Sequence, residues 1–206
     1  MTRHCGKAAG MVTILIPAAG ASSRMAPRDK LLETIGGVAL LRRQVLRALA
    51  TGCEVLVTLP PDRPDRAVAL LGLDCKQHIL PDAADGMSAS LRHGAKAAPA
   101  SHALLVLLPD MPEIETEDIA RLIAAHDETP DQVIRASAAD GTPGHPVVLP
   151  ARLREKVTRL TGDRGARPLL EQDPARLVAL PGRRALIDLD TPADWNNWRA
   201  ENPDQA

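Results

Sequence analysis

The sequence predicts an α/β fold in which a mainly parallel central sheet is flanked by helices. Short β-branched and aliphatic runs alternate along the chain with segments whose apolar residues recur at helical spacing. The two strongest runs, residues 12–16 and 103–108, are almost continuously apolar, which is typical of strands that are buried on both faces. Alternation of this kind in a chain of 206 residues favours one domain with a parallel sheet.

The individual elements follow in a regular order. We expect strands at residues 12–16, 54–59, 75–80, 103–108, 133–136, 146–149, 176–180 and 185–189, and helices at residues 40–50, 64–71, 88–98, 116–126, 151–160, 168–172 and 191–200. Thr116 and Thr191 are the expected N-caps of the helices that begin there. Ligands of such sheets bind beyond the carboxyl ends of the strands. The loops after residues 16 and 108 are therefore expected to open onto the ligand-binding edge.

Composition limits the classes of function. The chain has two Trp, no Phe and no Tyr, and its formal net charge is −1. Proteins that bind nucleic acid use aromatic platforms and basic patches, so we expect no nucleic-acid partner. Cys5, Cys53 and Cys75 are widely spaced and form no CxxC pair, which indicates reduced thiols and a cytoplasmic location. No apolar run reaches 18 residues, so no membrane-spanning helix is expected.

The loop from residue 17 to residue 30 combines small residues with cations. Small residues allow the backbone N–H groups to approach phosphate oxygens, hydroxyls add donors, and fixed cations neutralise a triphosphate. The candidate residues are Ala18, Ala19, Gly20, Ser22, Ser23, Arg24 and Lys30. Neither the GxxxxGKS/T loop nor the GxGxxG fingerprint is present. A Gly/Ser turn with solvated cations is the alternative interpretation.

Three acidic residues are candidates for metal binding. Asp110 follows the run 103–108 after one residue and lies between Pro109 and Pro112, which would hold its carboxylate rigidly at the ligand-binding edge. Mg²⁺ prefers one or two carboxylates together with phosphate oxygens and water. Asp188 and Asp190 would point to the same side of a strand. The alternatives are a turn-forming role for Asp110 and support of a helix cap by Asp190.

Three further loops are candidate walls of a substrate site. The segment around residue 86 opens a helix and offers N–H donors to an anion, residues 141–146 hold a histidine between prolines, and residues 162–167 carry two arginines beside two glycines. The candidate residues are Gly86, Ser88, Ser90, His145, Asp163, Arg164 and Arg167. A structural histidine and an ordinary charged loop are the alternatives for the last two segments.

The chain ends are expected to lie outside the folded domain. Residues 1–11 are predicted to be a flexible leader, residues 12–200 the domain and residues 201–206 a frayed tail. The basic residues near the start precede an apolar stretch that superficially resembles a secretory signal. Gly10, Pro17 and Gly20 interrupt that stretch, which opposes the secretory interpretation.

Six motifs in series resemble a known family. The segments PAAGASSRM…DKLL, GMSASL, LLVLLPDMP, GTPGHPVVLP, LTGDRGARPLL and DLDTPADW, from about residue 13 to residue 198, resemble the NTP transferases that mature the molybdenum cofactor. Within that group the resemblance is to molybdenum cofactor cytidylyltransferases and molybdopterin-guanine-dinucleotide synthases. It implies a Rossmann-like nucleotidyltransferase fold and transfer of CMP from CTP to molybdopterin-type cofactor, with release of pyrophosphate.

The resemblance also implies a role for each candidate residue. Residues 18–20 would line the base and ribose, and Arg24 and Lys30 would hold the triphosphate. Asp110 and Asp190 would bind Mg²⁺, while His145 and the loop 162–167 would face the pterin phosphate. A molybdenum enzyme that accepts the product is a further candidate partner; neither a nucleic acid nor a membrane is expected.

Departures from the family pattern keep other activities open. Ala26 and Pro109 stand where glycine is usual. Ala19-Gly20 stands where related guanylyltransferases carry two glycines, which by resemblance favours a pyrimidine nucleotide. The alternatives are a guanylyltransferase of the same family that uses GTP, a nucleotidyltransferase acting on a sugar phosphate or another phosphorylated small molecule, and a nucleotide-binding accessory protein without activity.

Overall fold

A seven-stranded sheet forms the centre of the structure, a computed structural model that describes residues 11–205. Its strands are β1 (Val12–Pro17), β4 (Glu54–Leu59), β5 (Lys76–Ile79), β6 (Ala103–Val106), β7 (Ile134–Ser137), β8 (Pro143–Leu149) and β9 (Arg176–Ala179). Their order is β5-β4-β1-β6-β8-β7-β9, and only β8 runs against its neighbours. The predicted α/β fold with a mainly parallel sheet is confirmed. A separate two-stranded ribbon contains β2 (Thr34–Ile35) and β3 (Val38–Ala39).

Seven helices lie within the described residues, six of them between strands and the seventh after the last strand. They are α1 (Leu40–Leu49), α2 (Pro64–Ala69), α3 (Met87–Ala97), α4 (Thr116–Glu128), α5 (Arg154–Thr158), α6 (Arg167–Gln172) and α7 (Pro192–Glu201). Thr191 caps α7 as predicted, because its side chain accepts from the Asp194 N–H while Asp194 accepts from the Thr191 N–H. The N-cap of α4 is Glu115 rather than the predicted Thr116, whose hydroxyl donates instead to the Arg47 carbonyl oxygen.

The alternation of side chains along the strands builds a core on each face of the sheet. In β1, Ile14 and Ile16 belong to the cluster that includes Leu41 of α1, whereas Leu15 belongs to the cluster that includes Leu91 of α3. Each such side chain, fully buried, contributes about 1.5–3 kcal/mol relative to exposure. Both Trp residues lie in a smaller third cluster with Met25 of the first loop. The aliphatic composition is thus sufficient for the two main cores.

The strand predicted at residues 185–189 is absent, and this prediction was wrong. A 3₁₀ turn, Arg184–Leu186, occupies its start. A Cβ placed on Gly144 would lie 2.7 Å from the Ala185 carbonyl carbon, so the segment packs directly on the β8 backbone. The Leu189 N–H donates to the Asp110 carbonyl oxygen at 2.9 Å rather than to a neighbouring strand. The strand periodicity assumed for Asp188 and Asp190 is therefore also wrong.

The predicted ends of the chain are described only in part. Residues 1–10 and Ala206 lie outside the described residues, and with them most of the predicted leader. The tail is helical at its start, because α7 extends through Glu201, and a 3₁₀ turn spans Pro203–Gln205. Between residues 11 and 205, no helix combines the length and hydropathy needed to cross a bilayer.

Candidate active site

The carboxyl ends of β1 and β6 bring two predicted loops together. The two strands pair in parallel, with Val12 opposite Ala103 and Leu15 opposite Val106. The Leu107 N–H continues the ladder by donating to the Leu15 carbonyl oxygen at 2.9 Å. The segments that follow the two strands then leave the sheet next to each other, as expected for a parallel pair whose ends form a ligand-binding edge.

Four of the predicted residues form one ionic network at this edge. Lys30 Nζ donates to Asp110 Oδ2 at 2.6 Å and to Asp190 Oδ1 at 2.5 Å. Arg24 Nη2 lies 2.7 Å from the other oxygen of Asp190. The side chains of Lys30, Asp110 and Asp190 are only 15–18% exposed, whereas Arg24 is 67% exposed. Residues that are 80 and 160 positions from Lys30 thus converge on its ammonium group.

The network shifts the proton affinities of its members. Burial alone would lower the pKa of Lys30, but the charges and hydrogen bonds of Asp110 and Asp190 raise it above its ordinary value. Burial favours a raised pKa of Asp190, yet Lys30 and then Arg24 hold that pKa below its usual range. The pKa of Asp188 is raised by burial and by the negative charges of Asp110 and Asp190. Lys30 and Asp190 therefore remain charged at neutral pH.

The acidic residues fit a divalent cation that a substrate helps to hold. Asp110 Oδ1 is buried and has no hydrogen-bond partner among residues 11–205, so it retains free coordinating capacity. The described chain contains no group of three or more His, Cys, Asp or Glu side chains arranged to hold a metal ion alone. Mg²⁺ characteristically takes one or two carboxylates and completes its shell with phosphate oxygens and water. Asp110 and Asp190 match that type of donor set.

The first loop is held in a specific backbone conformation. Ser22, at φ 52° and ψ 32°, is the one non-glycine residue with positive φ in the described range. Its hydroxyl accepts from the Lys30 N–H at 2.9 Å, which closes the loop across eight residues. Ser23 begins the 3₁₀ turn Ser23–Met25 that carries Arg24. The side chains of Ala18 and Ala19 are buried, so only Gly20 of these three residues lines the adjacent cavity.

A small cavity lies between this loop and the start of α3. Its volume is about 150 Å³, and its lining includes Gly20, Lys30, Gly86, Ser90 and Asp110. No side chain caps α3, whose N-cap is Gly86 at φ 73°. An uncapped helix N-terminus presents N–H donors to an anion.

The two predicted serines of α3 are both buried. The Ser90 hydroxyl oxygen accepts from the Thr58 hydroxyl at 3.0 Å, so this bond leaves the Ser90 proton free to donate, and Ser90 lines the small cavity. Ser88 is fully buried and is not part of the cavity lining. The Ser88 Oγ has no hydrogen-bond partner among residues 11–205, and its contact with a nucleotide stays a prediction.

A larger cavity of about 680 Å³ adjoins the small one. The two share Met87 and Leu108 in their linings. The predicted residues His145, Asp163, Arg164 and Arg167 all line it, together with apolar side chains that include Leu91, Val106 and Val147. Arg164 and Arg167 lie 2.9 and 3.1 Å from Glu171, which also lines the cavity.

His145 is neutral in this cavity. Its Nδ1 is buried and has no hydrogen-bond partner in the described part of the chain. Burial lowers the pKa of His145 to about 4, and the nearby Arg135 guanidinium adds to the effect, while Asp110 opposes it. Arg135 also lines the cavity and was not among the residues predicted from sequence. A neutral imidazole with a free ring nitrogen is a hydrogen-bonding group for a bound molecule.

Sequence reasoning also missed a buried arginine beneath the first loop. Arg66 of α2 is fully buried and hydrogen-bonds to Ala18, Gly20 and Asp29. No local spacing relates Arg66 to Asp29, which is 37 positions earlier. The only sequence signal was the acidic residue directly before Lys30, which the motif already contained.

A nucleotidyltransferase is the class that this fold and site define, and comparison with known proteins agrees. The chain belongs to the MobA-like NTP transferase family, whose model matches residues 14–177. A molybdenum cofactor guanylyltransferase from Bradyrhizobium sp. (strain ORS 278) is 34% identical over 164 residues, covering 71% of this chain and 76% of the relative. The resemblance inferred from the six motifs is thereby confirmed.

Further similar proteins include a cytidylyltransferase and two solved structures. A 2-C-methyl-D-erythritol 4-phosphate cytidylyltransferase from Frankia casuarinae is 28% identical over 185 residues, covering 88% of this chain and 59% of the relative. The crystal structure of an rv0371c homolog from Mycobacterium sp. strain JC1 matches with a TM-score of 0.79 at 26% identity, covering 93% of this chain and 96% of that one. The Mycobacterium tuberculosis Rv0371C complex with manganese matches with a TM-score of 0.73 at 23% identity, covering 90% and 96%.

Proposed function

We propose that this protein transfers CMP from CTP to a molybdopterin-type molybdenum cofactor and releases pyrophosphate. The observation that carries the proposal is the Lys30–Asp110–Asp190 network, of which Lys30 and Asp110 line the small cavity that adjoins the larger one. The loop 17–30 and the uncapped start of α3 suit a triphosphate on one side. The larger cavity suits the acceptor, and the Bradyrhizobium relative's name supports the molybdenum cofactor as that acceptor.

The lining of the larger cavity supports a flat, phosphorylated acceptor. Its apolar side chains favour a ring system, and the free nitrogen of neutral His145 offers a hydrogen bond to a polar ring edge. Arg164 and Arg167 are the proposed phosphate contacts, since a guanidinium binds phosphate oxygens through paired N–H donors. Both arginines are exposed and paired only with Glu171, so little desolvation opposes their turning toward a phosphate.

The proposed reaction is an in-line substitution at the α-phosphorus of the nucleotide. An oxygen of the acceptor's terminal phosphate forms the new bond to phosphorus, and the bond to the pyrophosphate leaving group breaks. The attacking phosphate is already an anion, so the chain need not supply a general base. Its task is to align the two phosphates and to neutralise the charge that develops on them.

Lys30 and Arg24 are the proposed catalytic cations. Lys30 remains protonated because Asp110 and Asp190 raise its pKa, and its ammonium group can donate to phosphate oxygens at the edge of the small cavity. Arg24 is largely exposed and can turn from Asp190 toward the triphosphate. A Mg²⁺ ion held by Asp110 and Asp190 would supply further positive charge to the reacting phosphates. Asp188 is proposed to shape the acidic side of the acceptor site.

The identity of the donor nucleotide is the part of the proposal for which a specific alternative exists. Ala19-Gly20 in place of two glycines supports CTP, and one relative is a cytidylyltransferase. GTP is the second candidate, because the relative that is 34% identical is a guanylyltransferase. A cytoplasmic location and a molybdenum enzyme that receives the product complete the proposal.

Pyrophosphate release tests the donor and the acceptor together. We would measure it with Mg²⁺ and each of CTP, GTP, ATP and UTP, with and without molybdopterin cofactor. Release with CTP only when the cofactor is present is the expected result. Release with GTP alone would change the proposed nucleotide from CTP to GTP. No release with any combination of nucleotide and cofactor would contradict the proposed function.

Two variants test the assigned chemistry. Asp110→Asn should lower turnover by about 10²-fold, the scale of one lost transition-state interaction. Asp173→Asn is the matched control, because Asp173 is also paired with an arginine, Arg152, but lines neither cavity. Its turnover should equal that of the unmodified protein. Unchanged turnover in folded Asp110→Asn would show that this carboxylate is not part of the chemistry.

A further inference from the structure

Most of the N–H donors of the Arg66 side chain form hydrogen bonds with the first loop, residues 17–30. Its Nη1 donates to the Ala18 carbonyl oxygen at 2.6 Å and to the Gly20 carbonyl oxygen at 2.8 Å. Its Nε and Nη2 donate to the two carboxylate oxygens of Asp29 at 2.7 and 2.9 Å. A guanidinium has five N–H donors in a rigid fork, so four of the five are directed at one segment of the chain.

These contacts join the two ends of the loop. Ala18 and Gly20 lie at its start and Asp29 at its end, so one rigid planar group fixes their separation. Arg63 adds a second link from the start of α2, through the Ala21 carbonyl oxygen and Asp29. The Arg66 side chain is 0% exposed, so these bonds do not compete with solvent.

Each end of the loop adjoins a residue of the small cavity. Gly20 lines that cavity directly, and Lys30 directly follows Asp29. Asp29 Oδ1 also accepts from the Leu31 N–H at 3.0 Å, so the backbone on both sides of Lys30 is constrained. Burial favours a raised pKa of Asp29, but the hydrogen bonds and the charge of Arg66 oppose it. The pKa of Asp29 therefore lies below its ordinary value. The pair is thus ionised and oriented before any ligand binds.

We propose that Arg66 and Asp29 are positioning residues that set the Lys30 ammonium group relative to the nucleotide phosphates. Neither residue lies in the reacting network, and the effect is transmitted through the backbone of residues 18–31. A misplacement of about 1 Å at a reacting group can cost about 10²-fold in rate. The proposal rests on the proposed nucleotidyl transfer, because only that reaction makes the position of Lys30 consequential.

Arg66→Lys is the decisive variant. Lysine keeps the positive charge but cannot reproduce the forked contacts with Asp29 and two carbonyl oxygens. We expect kcat to fall by about tenfold to a hundredfold, with a smaller change in the KM for the nucleotide. Hydrogen exchange of the amides in residues 18–32 should become faster, because the loop loses its internal support.

Arg154→Lys is the matched control. Arg154 also holds backbone carbonyl oxygens, those of Ala95, Ala98, Pro99 and His102, but on a segment that precedes β6, away from the loop. Its lysine variant should lower the melting temperature without changing kcat or the exchange of residues 18–32. All kinetics are compared at a temperature at which each protein is fully folded.

A double variant covers the case in which Arg66→Lys fails to fold. Asp29→Asn combined with Arg66→Gln removes both charges together, so no buried charge is left without a partner. It should show the same loss of kcat and the same faster exchange of the loop. Unchanged kcat and unchanged loop exchange in either folded variant would overturn the proposal.

Failure of the proposed function would be seen separately. An unmodified protein that releases no pyrophosphate with any nucleotide and acceptor would refute the transfer reaction. Loop exchange does not depend on turnover, so it would still decide whether Arg66 orders residues 18–32. Equal exchange in the unmodified, Arg66→Lys and Arg154→Lys proteins would then refute the positioning role as well.

Discussion

Acidification is predicted to destabilise the protein through one histidine, His145 of β8. Its imidazole lies in the larger cavity with Nδ1 buried and without a hydrogen-bond partner in the described structure. Burial and the charge of Arg135 lower its pKa from an ordinary value of 6.5 to about 4. The folded protein therefore accommodates the neutral ring and resists the imidazolium ion.

The sign and size of the effect follow from the two proton affinities. Because the unfolded chain binds the proton more tightly, the stability contributed by neutral His145 is fully present above pH 6.5 and is lost as the pH falls toward about 4. Each tenfold difference in proton affinity corresponds to about 1.4 kcal/mol. The full loss is therefore about 3 kcal/mol, of which about 2 kcal/mol is already lost at pH 5.

Urea unfolding of the unmodified protein and of His145→Asn measures this loss. Asparagine keeps a polar group in the cavity but has no titratable proton, so every other ionisable group is common to both proteins. Between pH 7.5 and pH 5, the free energy of unfolding should fall more in the unmodified protein, by about 2 kcal/mol. The variant should retain only the shared pH dependence.

An equal fall in both proteins would refute the reasoning. It would mean that His145 has the same proton affinity in the folded and unfolded chains, and so that the ring is hydrated or paired in the folded state. A larger fall in His145→Asn would contradict the sign as well. Unchanged m-values across the pH range are needed for the comparison, because they indicate that the surface exposed on unfolding is the same.

Three other changes have clear expected outcomes. Gly144→Ala should destabilise the fold by about 3 kcal/mol in urea unfolding, because its Cβ would overlap the Ala185 backbone. Gly20→Ala should leave the melting temperature nearly unchanged, since no atom lies within 4 Å of the added Cβ, but should weaken nucleotide binding in titration calorimetry because Gly20 lines the small cavity. Asp188→Asn should raise the melting temperature at pH 7 but not below pH 4, because the raised pKa of Asp188 reflects burial and repulsion by acidic neighbours.

The elements that sequence predicted best are the strands whose own residues are apolar on both faces. The first strand and the strand from Ala103 are apolar on both faces, and such a run is typical of a buried parallel strand. The segment 185–189 is also mainly apolar, although it contains Asp188, and its Ala185 and Leu189 side chains are buried. Its hydrogen-bond partners are a loop and a turn, which apolar spacing cannot distinguish from a neighbouring strand.

The residues of the candidate site also fall into those that sequence could predict and those that only the packing reveals. Lys30, Asp110 and Asp190 were predicted from the cations of the first loop, from a carboxylate that follows a buried strand and from the family resemblance, and the structure brings the three side chains together. Arg66 carries no such signature, since a buried arginine and an exposed one have the same letter and the same helical spacing. Its importance arises from a contact across 37 positions that only the packing of α2 under the loop creates.

The charge of the network favours the binding of a divalent cation together with the nucleotide. Among the described residues, Lys30 and Arg24 pair with Asp110 and Asp190, and Asp188 lies close to both carboxylates, so these five groups carry one net negative charge when all are ionised. A free triphosphate would meet repulsion there, and the raised pKa of Asp188 shows that negative charge is already costly at this position. A divalent cation held by Asp110 and Asp190 would reverse the sign of the cluster, and Lys30 would then no longer have to neutralise two carboxylates. We therefore expect the site to select the metal–nucleotide complex over the free nucleotide, with Lys30 passing from the carboxylates to the phosphates as that complex binds.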